Sequence, residues 1–295
     1  MGRRKRRSGI LGKLVILLLA AIGVAVLYRR EILHQLDEAW LDGDRNYRLS
    51  RYLRGRPLEG TPDLARLDAR LAAAKLELGA PVLVRIFKRE SELELWLARA
   101  GRFHHFATYP ICRWSGRLGP KLKEGDRQSP EGFYTVDQRA LNPNSRWHRS
   151  FNLGFPNSFD RMHGRTGSFI MVHGGCGSVG CFAMTDPVVD EIWRFVTEAL
   201  AKGQKRFQVQ VFPFRMTDDA LSRHTASPWI AFWRDLKVGH DLFERSGLPP
   251  RVVACNDRYL FVAGTSESID GAAPVLHCRS LPPRLRREFR VDAGG

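Results

Sequence analysis

The alternation of apolar and polar residues changes period several times along this chain, and each change predicts a different element. Leu14 to Tyr28 holds no charged or strongly polar residue, and Gly9 to Tyr28 is broken only by Lys13. At about 1.5 Å per residue that run is long enough to cross a hydrocarbon core, with Lys13 snorkelling to the near face. It predicts a transmembrane signal-anchor over residues 1–30. A cleaved signal peptide is the alternative, with Gly23-Val24-Ala25 as a weak cleavage signal. Residues 31–79 predict a helical tether. Ile32, Leu33, Leu36 and Trp40 recur at short spacings, and Leu64, Leu67, Leu71 and Leu76 mark a helix between Pro62 and Gly79.

From Pro81 the period becomes two. Val82, Val84 and Ile86 alternate with their neighbours, as do Leu93, Leu95 and Leu97; Phe103 to Tyr109 makes a third run. Three such runs predict a β-meander. A Gly-, Lys- and Arg-rich loop leads to a fourth strand, Phe133 to Val136. Asp137 to Thr166 then reads as a long irregular segment, a lid or substrate wall. Phe169 to Val172 is a short buried strand. Asp186 to Gly203 is an amphipathic helix, with Asp186 placed to cap it and Pro187 at its first position. Phe207, Val209 and Val211 close the pattern. Beyond residue 215, Trp229, Ile230, Phe232 and Trp233 predict a helix packed on the core. Arg251 to Ala263 predicts two short strands, and the tail from Arg279 an irregular end. The class is mostly β with α, an α+β catalytic domain over 80–214 and a C-terminal extension over 215–295.

Charge adds to this picture at the N-terminus. The net charge of the 295 residues is +16, and residues 1–30 carry eight basic groups and no acid, leaving +8 for the rest. The Arg3 to Arg7 cluster predicts a cytoplasmic tip, with everything after about Arg30 in a bacterial periplasm. Elsewhere basic and acidic residues interleave without nucleic-acid motif spacing, so no nucleic-acid partner is expected.

The chemistry concentrates between Ser168 and Asp186. His173 ends the apolar strand, and Gly174, Gly175, Gly177 and Gly180 surround Cys176, Ser178 and Cys181. A cysteine in a glycine-lined turn beside a histidine suits a nucleophile and its base. Cys181 is the expected nucleophile and His173 its proton donor and acceptor. The N–H groups of Gly180 and Cys181 are expected oxyanion donors, and Ser178 is expected to orient His173 or bind substrate. His163, also followed by glycine, is the alternative base. Arg165, Arg113 and Lys121 are expected to meet substrate carboxylates. Five cysteines in an oxidising compartment leave one unpaired. Cys255 with Cys278 and Cys112 with Cys176 would leave Cys181 free.

These residues carry a resemblance. Val172-His173-Gly174 and Ser178-Val179-Gly180-Cys181, with Ser129-Pro130-Glu131-Gly132-Phe133-Tyr134, Tyr109-Pro110-Ile111 and Gly116 upstream, resemble the YkuD-type L,D-transpeptidase catalytic domain family, in its YafK-like murein hydrolase branch. The resemblance spans roughly residues 80–212. It implies a β-sandwich or barrel with a flanking helix, a cysteine nucleophile and no cofactor. It also implies peptidoglycan stem peptides containing meso-diaminopimelate as substrate, cross-linked, or hydrolysed to release a peptidoglycan-linked lipoprotein. Two departures stand out: the short interval between His173 and Cys181, and Ala183 where arginine or asparagine is usual. Two other classes of function remain open at this point. One is a zinc module ligated by His163, His173, Cys176 and Cys181. The other is a non-catalytic peptidoglycan-binding anchor.

Overall fold

The structure is a computed structural model that describes residues 12–18, 21, 29–272 and 274–290. It divides into two units, Met1–Tyr47 and Arg48–Gly295. In the first, residues 12–18 are helical, but most of the expected membrane-spanning run lies outside the described residues. Among the described residues no helix is long and apolar enough to cross a membrane, so the predicted transmembrane helix has no support there. The boundaries expected at residues 79 and 214 both fall inside the second unit.

Helix α1 (Arg29–Leu53) precedes a short helical stretch that ends in α2 (Leu67–Ala74). The helix predicted to reach Leu78 stops early, because Lys75 takes a left-handed conformation with φ 54°. Strands β1 (Val82–Phe87), β2 (Glu92–Arg99) and β3 (Arg102–Pro110) form the predicted meander. After β4 (Gly132–Val136) come the hairpin β5 (Leu141–Ser145) and β6 (His148–Asn152), helix α3 (Ser158–Met162) and the short strands β7 (Met171–His173) and β8 (Phe182–Ala183). Helix α4 (Asp186–Ala201) and strand β9 (Phe207–Phe212) follow. The C-terminal part holds α5 (Asp218–Arg223), α6 (Ile230–Ser246), β10 (Arg251–Cys255), β11 (Arg258–Val262), α7 (Glu267–Asp270), β12 (Leu276–His277) and α8 (Pro283–Glu288).

The main sheet runs β3-β2-β1-β9-β4, with β1 and β9 parallel. Every residue of β1 and β9 is buried, because helices cover both faces. Helix α4 buries Val188, Val189, Ile192, Phe195, Val196 and Ala199, each large side chain contributing roughly 1.5–3 kcal/mol by the usual area rule. On the other side α6 sends Trp233 and Leu236 against Phe87, Phe133 and Phe212, and Phe243 against Leu83 and Phe103. Helix α6 thus packs on this face of the main sheet.

A second sheet, β5-β6-β7-β8, carries the chemistry-bearing stretch, and a third, β11-β10-β12, lies in the C-terminal part. All three sheets are open. The expected sandwich or barrel is corrected to a mixed α/β arrangement in which no barrel closes. Residues 137–166 are also more ordered than their sequence suggests. Pro143 sits on β5, an edge strand exposed at its central positions, where its missing N–H costs no ladder bond. Helix α3 is set by a capping box in which Asn157 and Asp160 bond each other's backbone N–H groups. The tail expected to be irregular contains α8.

Candidate active site

Cys181 lies immediately before β8, and His173 is the last residue of β7. The two strands are parallel, with Val172 opposite Phe182 and His173 opposite Ala183. The same register puts Cys181 level with Met171, whose N–H meets the Cys181 Sγ at 3.4 Å. The thiol in turn points at the Phe169 carbonyl, 3.5 Å away. Thiol and imidazole thus come from adjoining strands, two positions apart. Parallel pairing of two very short strands is possible here because a tight glycine segment, rather than a crossover helix, joins them.

The imidazole is almost fully buried. Its Nδ1 lies 2.5 Å from the Gly174 carbonyl oxygen. A carbonyl can only accept, so Nδ1 carries the proton and Nε2 is left as the basic nitrogen. The indole of Trp147, at the tip of the β5–β6 hairpin, lies 5.8 Å from the imidazole, centroid to centroid. Gly174 is required by crowding: a Cβ there would lie 2.5 Å from Asp186 Oδ1 and 3.1 Å from the Trp147 carbonyl. Asp186 is not the helix cap its position suggests. Thr185 occupies that position, and the Asp186 carboxylate accepts the Gly175 N–H at 2.7 Å, fixing the glycine segment instead.

Burial is the main cause of both pKa shifts. It lowers His173, opposed by the Gly174 carbonyl and the Asp186 charge. It raises the Cys181 thiol, opposed by the Met171 N–H and the Lys121 charge. Neutral thiol beside neutral imidazole is therefore the resting pair. Protonating His173 would remove the expected base, and a lowered pKa moves that loss to more acidic pH. The acid limb of the rate profile is expected below about 6.5, the ordinary imidazole value. A pH series of Cys181 alkylation by iodoacetamide measures it, and an acid midpoint above the ordinary value would contradict this assignment. The same group makes the fold less stable as pH falls below the ordinary value, because the unfolded chain then binds a proton that the folded chain does not.

The turn around Cys181 is fixed by hydroxyls. Ser178 Oγ donates to the Cys181 carbonyl at 2.7 Å, and Ser129 Oγ donates to the same oxygen at 3.2 Å. Ser115 Oγ lies 2.6 Å from Ser178 Oγ. The Gly180 N–H is directed at Ser115 Oγ and Ser178 Oγ, 3.1 and 3.2 Å away. That N–H, expected as an oxyanion donor, is thus engaged within the protein. Ser178 is bonded to the Cys181 turn rather than to His173. Ser115 and Ser129 escaped the sequence reading as site residues because they precede Cys181 by more than fifty residues.

The other expected site residues are dispersed. The His163 ring Nε2 lies 3.1 Å from the Asp257 carbonyl and packs on Phe159, 4.4 Å between centroids; it belongs with the C-terminal β10–β11 hairpin. Arg165 is buried, donates to Asp160 Oδ1 at 2.9 Å and lies over the Phe159 and Phe232 rings. Burial and that ion pair hold it in the core, not at a substrate surface. Arg113 pairs its backbone with Ala183, in line with His173. Lys121 donates to Asp126 Oδ1 at 2.5 Å and to the Lys123 carbonyl at 2.9 Å, and its charge is felt at the thiol.

Disulfides join Cys112 to Cys176 and Cys255 to Cys278, and Cys181 is free, in the pairing that the sequence left open. The first ties the glycine segment to the chain just after β3, under a small cluster with Leu49, Tyr52 and Leu58. The zinc set is not assembled: Cys176 is oxidised and His163 is held at Asp257. Among the described residues no group of three or more His, Cys, Asp or Glu side chains is placed to hold a metal.

Comparisons with known proteins give the family. A family profile described as YkuD, L,D-transpeptidase catalytic domain, matches residues 83–211. The chain is 47% identical over 183 residues to "Putative L,D-transpeptidase YafK" of Escherichia coli strain K12, covering 62% of this chain and 74% of that protein. The same protein of Escherichia coli O157:H7 matches equally. Among solved structures, the helical cell shape determining protein Pgp2 of Campylobacter jejuni is 20% identical with a TM-score of 0.37, covering 59% of this chain and 66% of that one. Bd1075 of Bdellovibrio bacteriovorus is 17% identical with a TM-score of 0.33, covering 55% of this chain and 60% of that one. This chain spans just under two thirds of the Pgp2 structure, and neither superposition is close enough to carry weight.

Proposed function

The chain belongs to the YkuD family of L,D-transpeptidase catalytic domains, and from that premise we propose that it is a cysteine acyl-transfer enzyme acting on peptidoglycan stem peptides. The bond attacked is the carbonyl of meso-diaminopimelate. The acceptor is either an amine, which makes a cross-link, or water, which releases an attached lipoprotein. One observation carries this reading: a free thiol and an imidazole on adjoining strands, the imidazole oriented by the Gly174 carbonyl so that Nε2 is its basic atom.

The residues support the following sequence. His173 Nε2 takes the Cys181 proton as Sγ attacks the peptide carbonyl carbon, and the C=O electron pair moves to oxygen. The Cys181 N–H stabilises that oxyanion, since the Gly180 N–H is engaged by serine hydroxyls. The C–N bond breaks, the amine leaves with the proton from Nε2, and a thioester remains. His173 then deprotonates water or an acceptor amine, which attacks the thioester and frees the thiol. Lys121, whose charge favours the thiolate, and Arg113, in line with His173, supply positive charge for an acidic stem peptide.

The proposed setting is a bacterial periplasm, with the inner membrane holding the N-terminal run. The basic cluster followed by an apolar stretch supports it, as do two disulfides, which persist in oxidising compartments. The test incubates the protein with free and lipoprotein-linked sacculi and identifies products by mass. New cross-links or released lipoprotein, both lost in Cys181→Ala, are expected. Binding without turnover, unchanged by Cys181→Ala, would mean a non-catalytic anchor and overturn the reading.

A further inference from the structure

We propose that Ser115 and Ser129 are positioning residues that aim the Cys181 peptide, acting through a directed chain of hydroxyls. The inference rests on Cys181 being the nucleophile. The direction of the chain follows from counting protons. Ser178 Oγ spends its single proton on the Cys181 carbonyl, so Ser115 Oγ must be the donor in the 2.6 Å contact between the two hydroxyls. Ser129 Oγ also gives its proton to the Cys181 carbonyl, and accepts the Ser115 N–H at 3.0 Å. The Ser129 N–H returns to the Ser115 carbonyl at 2.9 Å. The two serines therefore hold each other reciprocally.

The consequence lies on either side of the nucleophile. The peptide before it presents the Gly180 N–H to Ser115 and Ser178; the peptide after it presents the Cys181 carbonyl to Ser178 and Ser129. Between these two pinned units lies the Gly180–Cys181 peptide, whose N–H is the donor assigned to the oxyanion. Its direction and the Cα–Cβ bond that carries Sγ are set by neighbours that cannot rotate. A Cβ at Gly180, where φ is +117°, would lie 3.1 Å from Ile170 Cδ1 and 3.3 Å from the Gln128 carbonyl, so the turn is also closed from outside. Ser129 is itself fully buried, and its carbonyl accepts from Lys88 Nζ at 3.0 Å. The frame is anchored in the core rather than in a surface loop.

The test compares Ser129→Ala, Ser129→Thr and Ser115→Ala in the full chain. It reads kcat and KM on a meso-diaminopimelate stem peptide, Cys181 alkylation by iodoacetamide at neutral and alkaline pH, and the thermal midpoint. Loss of a hydroxyl is expected to lower kcat about 10- to 100-fold with KM unchanged, the scale of a misplacement near 1 Å. Alkylation should slow at neutral pH and stay native at alkaline pH. Threonine at 129 should restore most of kcat. Native kcat and native alkylation in both alanine variants would overturn the proposal, and so would a loss confined to KM. If Ser129→Ala does not fold, Ser115→Ala on the half-buried loop decides. Slowed alkylation in a protein that turns over no peptidoglycan would fault the substrate reading and leave the hydroxyl frame standing.

Discussion

Alanine in place of His173 is expected to slow Cys181-dependent turnover by about 10²–10⁴-fold, the range for losing a general base. The imidazole is the group the strands bring beside the thiol, and burial keeps it neutral, so that it accepts a proton at neutral pH. Without it, a thiol whose pKa is raised by burial stays protonated and weakly nucleophilic. Turnover on sacculi and iodoacetamide alkylation at neutral pH both measure the effect, with circular dichroism to verify the fold. Added imidazole should restore part of the rate through the space left by the ring. His163→Ala should leave the rate native, because that ring is held by Asp257 and Phe159. A His173→Ala variant that keeps native activity, or a His163→Ala variant that loses it, would exchange the roles of the two histidines.

The second large effect concerns stability. Lys88 and Glu131 form an ion pair at 2.8 Å with neither side chain exposed. Glu131 also accepts the Gly119 N–H at 2.6 Å and the Trp233 indole N–H at 2.7 Å. Lys88 donates further to the Gly119 and Ser129 carbonyls. Removing one partner strands a charge in the core, and Glu131→Gln or Lys88→Met is expected to cost about 3–5 kcal/mol. The double variant should lose less than the sum of the two, because the stranded charge disappears. Denaturant midpoints measure all three. Single variants within about 0.5 kcal/mol of native, the size of an ordinary surface change, would show that the pair is not what holds the loop. Because Trp233 belongs to α6, the same experiment probes how the C-terminal part supports the loop that carries Gly119, Ser129 and Glu131.

The elements most legible in the sequence are those whose burial is one-sided or complete. The β1–β3 alternation and the α4 stripe at Val188, Ile192, Phe195 and Val196 are written in side-chain period alone. The β5–β6 hairpin was not legible. Its outer strand carries Asn142, Pro143 and Asn144, which are favoured in turns, and its pairing is satisfied only by the neighbouring strand. Arg165 misled for a related reason. A basic residue near a catalytic motif reads as a substrate contact until Asp160, Phe159 and Phe232 are seen to enclose it. Asp186 likewise reads as a cap, since no local pattern announces that Gly175, eleven residues earlier, takes its carboxylate.

By itself the sequence determined the family, the glycine turn that holds Cys181 and the strand that ends in His173, because these depend on residues close together in the chain and on glycines that tolerate tight backbone. Only the tertiary structure decided which groups serve that turn. Ser115 and Ser129 arrive from an upstream loop, Lys121 brings its charge, and Lys88, Glu131 and Trp233 lock the loop from three separate elements. Hydrogen bonds of this kind are made across long chain separations, and a polar side chain carries no mark of its partner until packing excludes water from both.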